Sequence, residues 1–154
     1  MSRFPLILGG LAVCLCLALP AAAVDTLSSK DAPDLTAVRE KIKAKDWPSA
    51  ATELRRIATT NQHADVYNLL AFSLRNMGQY AEARTLYFKA LDFEPEHKGA
   101  HEYLGELYIK TGEMDKARAM LVKLEKICAS GCEELDDLRS AIAEADAKAA
   151  PKTN

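Results

Sequence analysis

Residues Ala64 to Glu96 read ADVYNLLAFSLRNMGQYAEARTLYFKALDFEPE. Two apolar patterns of helical period flank Gly78, and Pro95 closes the unit. Small and large apolar residues hold fixed places, at Leu70-Ala71, Leu74, Tyr80, Ala83, Tyr87 and Ala90. Helical spacing of this kind predicts two amphipathic helices, about 64–77 and 80–92, folded back on each other at the glycine. The alanines let the paired helices approach, and Leu70, Leu74, Tyr80, Tyr87 and Leu91 fill the space between them. The aromatic stripe therefore reads as core.

The unit recurs downstream. His101, Leu104-Gly105, Tyr108, Gly112, Ala117, Leu121 and Leu124 follow Tyr67, Leu70-Ala71, Leu74, Gly78, Ala83, Tyr87 and Ala90 at one constant interval. It also recurs upstream in weaker form: Trp47, Ala50, Leu54 and Ile57 precede Tyr80, Ala83, Tyr87 and Ala90 by an interval one position shorter. Asp34 is the expected N-cap of a helix running to about Lys45, and Pro48 suits the first position of the next helix. The repeat resembles the tetratricopeptide repeat, whose pattern is W-x2-L-G-x2-Y…A-x3-F…P over about 34 residues. Tyr67 stands at the Trp place, Ala71 at the Gly place and Leu74 at the Tyr place. Leu104-Gly105 with Tyr108 keeps closer to the pattern.

The resemblance implies an all-α fold, an α-solenoid of three helix hairpins (about 31–63, 64–97 and 98–131) closed by a C-terminal capping helix over 133–149. That last helix carries Leu135, Leu138, Ile142 and Ala145 on one face and charge on the other, with an acidic start that suits the helix dipole. Stacking supplies the core that a single hairpin lacks. The first repeat has no evident cap, which leaves its outer face open to self-association. In this family the first helix of each repeat lines a concave surface that binds peptides. The lining residues implied here are Arg39, Ile42 and Lys43; then Asp65, Asn68, Phe72, Arg75 and Asn76; then Glu102, Glu106, Ile109 and Lys110. Asn68, Arg75 and Asn76 are the expected hydrogen-bonding groups and Phe72 the expected apolar anchor.

The ends of the 154-residue chain carry a different message. Arg3, an apolar run from Leu6 to Leu19, Pro20 and Ala21-Ala22-Ala23 have the pattern of a secretory signal cleaved after Ala23. Left uncleaved, that run would be the chain's contact with a membrane. Residues 24–33 read as a flexible lead and 150–154 as a disordered tail. Export predicts a periplasmic protein and places Cys128 and Cys132 in an oxidising compartment. A disulfide between them is the favoured reading, with Gly131 ending a helix in the left-handed conformation. A metal site, a redox-active pair and free thiols remain as alternatives.

The formal net charge of −2 shows no basic excess, so nucleic acid is not an expected ligand. No phosphate-binding loop, serine-nucleophile elbow or zinc-protease motif occurs. The sequence thus predicts a non-enzymatic scaffold or adaptor for a protein or peptide partner, without a cofactor. The alternative from another class is a copper-handling protein that uses Cys128 and Cys132 with His97 or His101.

Overall fold

The computed structural model describes residues 32–150. The readings made on the N-terminal signal, most of the lead and the last four residues lie outside these. Among the described residues there are seven helices and no strand: α1 (Thr36–Lys43), α2 (Trp47–Ala58), α3 (Ala64–Asn76), α4 (Tyr80–Phe93), α5 (Lys98–Lys110), α6 (Met114–Ile127) and α7 (Glu133–Ala149). None of them is long and apolar enough to cross a membrane. Helices pair as α1/α2, α3/α4 and α5/α6, each pair packs on the next, and α7 lies against α5 and α6. This is an all-α solenoid of three hairpins and a closing helix.

The turns inside the hairpins share one construction. Gly78 and Gly112 have φ of 79° and 77°, and Lys45 occupies the same place with φ 58°. In each, the residue after the left-handed one donates its N–H five positions back: Asp46 to Lys41 O, Gln79 to Leu74 O and Glu113 to Tyr108 O. The left-handed residue itself donates three back, to Ile42 O, Arg75 O and Ile109 O. These paired bonds terminate a helix by satisfying its last carbonyls. The first helix is shorter than the sequence predicts for this reason: Lys45 turns the chain, so α1 stops at Lys43. At the other end Asp34 accepts from the Thr36 N–H at 2.9 Å, but Leu35 rather than Asp34 holds the N-cap place.

The second helices bury Ala50, Ala83 and Ala117, one per repeat and each with no exposed surface. Leu54, Leu74, Tyr87, Leu104, Leu107, Leu124 and Leu138 are fully buried around them. Tyr80, expected in the core, is 36% exposed. It is the first residue of α4, and side chains lean toward a helix's N-terminus, so its ring runs past the end of the interface.

The closing helix is the first helix of a fourth repeat. Leu135, Leu138 and Ile142 stand one full repeat after His101, Leu104 and Tyr108, and each of these is buried. Gly105 makes the docking possible: a Cβ on it would stand 2.6 Å from Leu138 Cδ2. Where Gly105 would recur, the chain has Arg139, exposed and bonded to Asp136 at 2.8 Å. A long charged side chain thus stands where the preceding repeats have the small Ala71 and Gly105.

Cys128 caps the end of α6 and Cys132 the start of α7, and they are joined by a disulfide with a Cα–Cα distance of 5.7 Å. Gly131 between them has φ 89°.

Candidate functional site

The first helices α1, α3 and α5, with α7, form one continuous side of the molecule. Helical spacing puts Asp65, Asn68, Phe72, Arg75 and Asn76 along one stripe of α3, and Glu102, Tyr103, Glu106 and Lys110 along one stripe of α5. Two clefts open on this side. The first is lined by Arg39, Asp65, Asn68, His97, Gly99, Glu102 and Tyr103, with Glu133, Glu134 and Asp137 from α7. The second is lined by Arg75, Asn76, Glu106, Ile109 and Lys110, with Glu144 and Lys148 from α7.

An aromatic ridge accompanies the clefts. Phe72 packs on Tyr103 with ring centroids 4.7 Å apart and meets Trp47 edge-on at 5.7 Å. The Arg75 guanidinium lies 5.1 Å from the Phe72 ring centre and 5.3 Å from that of Tyr103, and forms an ion pair with Glu106. Arg75 is only 5% exposed. A desolvated guanidinium over two rings and beside a carboxylate is a strong internal contact. It ties the second repeat to the third.

The sequence-derived lining set therefore divides. Arg39, Asp65, Asn68 and Glu102 meet at the first cleft; Arg75, Asn76, Glu106, Ile109 and Lys110 meet at the second. Lys43 lies in neither and pairs with Glu40 at 3.3 Å; Ile42 is half-buried against the core. Phe72 is half-buried in the ridge rather than presented as a free anchor. Arg75 has its guanidinium committed to Glu106 and the rings, and Asn76 bonds back to Phe72 O at 2.8 Å. Reading the residues one repeat at a time missed Tyr103 and the α7 carboxylates; the repeat register carried on from Asp65 through Gly99 reaches Glu133, whereas Tyr103 follows Leu69, which reads as core.

Two histidines at equivalent places in successive repeats act as helix caps. His63 accepts from the Asp65 N–H at 3.2 Å and His97 from the Ala100 N–H at 3.1 Å, each through Nδ1. With Nδ1 accepting, neutral His97 carries its proton on Nε2 and donates it to Asp65 at 3.2 Å. That bond holds the Asp65 carboxyl below the usual carboxylate range. His101, 3% exposed, donates from Nε2 to Pro95 O at 2.9 Å, and burial lowers its basicity. Of the ligands in the copper reading, Cys128 and Cys132 are bonded to each other and His97 uses both ring nitrogens, while His101 Nδ1 has no partner. No three of His, Cys, Asp and Glu are disposed to share a metal ion among the described residues.

Glu102 is the unusual group. It is 6% exposed, and among the described residues it has neither an ion pair nor a side-chain hydrogen bond. Burial, then the carboxylates of Glu106, Asp137 and Glu134, push its pKa up to about 8. Asn68, 4% exposed beside it, has an Oδ1 without a partner.

A family model described as tetratricopeptide repeat matches residues 74–142, from the end of α3 into α7. The segment from the end of α3 into α7 thus resembles tetratricopeptide repeats. Among solved structures, the crystal structure of MamA resembles it in fold, with a TM-score of 0.58 at 18% identity over 75% of each chain. No curated protein sequence matches it. Tetratricopeptide repeats serve as protein-interaction scaffolds, and the repeats here have that general role.

Proposed function

We propose that this protein is a periplasmic adaptor that holds a segment of a partner protein along the side formed by α1, α3, α5 and α7. The observation that carries this is the alignment of two clefts, fed by three successive first helices and α7, along one face. Extended clefts between repeats suit an extended chain, whose backbone and side chains meet several helices at once. The export pattern at the N-terminus and the Cys128–Cys132 bridge support the compartment.

Site-specific photo-crosslinking in intact cells tests both parts. A crosslinker at Asn76 or Lys110, in the second cleft, is expected to trap a discrete partner band. The same group at Phe88 or Val122, exposed on α4 and α6, is expected to trap little. Equal trapping from both faces would refute the cleft assignment. The mass of the protein released from the periplasm checks export: it should lack residues 1–23 and two hydrogens. Retention in the cytosol with free thiols would refute the compartment.

A further inference from the structure

The two clefts differ in charge balance. In the second, Arg75 pairs with Glu106 and Lys148 with Glu144, so its lining is nearly neutralised from within. In the first, Glu102, Glu133, Glu134 and Asp137 have no ion pair among the described residues. Asp65 is held by His97, and Arg39, exposed at the margin, is the remaining cation of the lining.

Two buried groups turn this from a solvated acidic surface into a built receptor. Glu102 and Asn68 are 6% and 4% exposed and both line the cleft; Asn68 Oδ1 is shut from solvent with no donor, and the Glu102 carboxyl receives no hydrogen bond from the described residues. A buried acceptor without a donor is costly, so Asn68 Oδ1 is a place where an incoming donor gains a bond that the protein itself does not make. Gly99 keeps the floor open, since a Cβ there would stand 3.2 Å from the Asn68 amide nitrogen. The cleft holds about 270 Å³, below the range of small-molecule pockets and suited to one side chain.

We propose that the first cleft is a receptor for a single cationic side chain, a lysine ammonium or an arginine guanidinium, of the segment held on the interaction face. The inference rests on that face and names its chemistry. The cation sits between Glu102 and Asp137, donates to Asn68 Oδ1, and supplies the positive charge that these carboxylates lack. Its aliphatic stem lies along Tyr103 and Leu69, which line the same cleft. The raised pKa of Glu102 agrees with a site built for a charge that is absent until the partner binds.

An array of random dodecapeptides, probed with the purified protein, tests this. The expected binders carry at least one Lys or Arg. Replacing that residue in the best binder with norleucine or citrulline, or making Glu102→Gln or Asp137→Asn, weakens binding about ten-fold. Asp137 is exposed, so its amide leaves the fold intact, as the helical circular dichroism should show. Binders without basic residues, or binders indifferent to both substitutions, would overturn the receptor while leaving the interaction face standing. An array with no binders would overturn both. Calorimetry with calcium chloride alone supplies the last arm: saturable uptake at micromolar concentration, lost in Asp137→Asn, would reassign the cleft to a divalent cation and overturn the proposal.

Discussion

Gly105→Ala, alone and with Leu138→Ala, tests how the closing helix is held. The added Cβ would stand 2.6 and 2.7 Å from the two δ carbons of Leu138, roughly an ångström inside normal carbon–carbon contact. The atoms met are the far end of the Leu138 side chain, which has no exposed surface and so must repack within the core. Overpacking of this kind costs about 1–3 kcal/mol, and replacing a mid-helix glycine returns about 1 kcal/mol of helix propensity. The single variant is therefore expected to be less stable by about 0–2 kcal/mol. Leu138→Ala alone leaves a cavity at the interface of α5 and α7 and should cost about 2–5 kcal/mol. In the double variant the new Cβ occupies part of that cavity, the clash is gone and the propensity gain remains. It should be more stable than Leu138→Ala alone by about 1 kcal/mol, a sign reversal that additive effects cannot produce. Urea denaturation followed by circular dichroism measures all four corners of the cycle. A double variant less stable than Leu138→Ala would falsify the close packing of Gly105 on Leu138.

Three further outcomes follow from individual groups. Lys45 adopts a left-handed conformation that glycine holds at the two equivalent turns, so Lys45→Gly should stabilise the fold by about 0.5–1 kcal/mol in thermal or urea melts; a loss of stability would mean that the lysine side chain contributes a contact outweighing its strain. Tyr87 is fully buried with its hydroxyl unpartnered, so Tyr87→Phe should be neutral or stabilising by about 1 kcal/mol, whereas a clear loss would reveal a bound water at that oxygen. Glu102 has its folded pKa raised to about 8, so the folded state holds a proton that the unfolded state has released. The stability it contributes is fully present below the ordinary glutamate range and is lost as pH rises through about 8. Melts across that window should decline for the native protein and flatten for Glu102→Gln; equal slopes would remove Glu102 from the titration.

The two complete repeats were legible because small and large apolar residues recur at one period, and that pattern is written by packing alone. The closing helix was legible as a helix but not as part of the period. Its apolar residues keep the register, yet the two strongest markers are replaced: the small residue by Arg139 and the proline turn by the cysteine pair. The candidate site was legible as a stripe, because helical spacing places residues on a face without reference to their neighbours. What each residue does there was not legible. Arg75 reads as a solvated groove residue until Glu106 and Tyr103, on the next repeat, are brought against it. The same holds for Glu102, whose isolation depends on which carboxylates α7 delivers. His63 and His97 left a better trace, since one residue type stands at the same repeat position before two helices.

The joints between successive repeats are made by different means. Between α4 and α5 the chain passes through Glu94, Pro95 and Glu96, and the ring of a proline limits the angle. Between α6 and α7 the comparable stretch is clamped by Cys128 and Cys132. A pyrrolidine ring is permanent once translated, whereas a sulfur–sulfur bond exists only where an oxidant has formed it. One wall of each cleft belongs to α7, so the shape of the side formed by α1, α3, α5 and α7 is completed by a joint whose stiffness is set by the surroundings of the protein. In the role proposed above, the protein would take its working geometry on reaching an oxidising compartment and loosen that geometry wherever thiols are kept reduced.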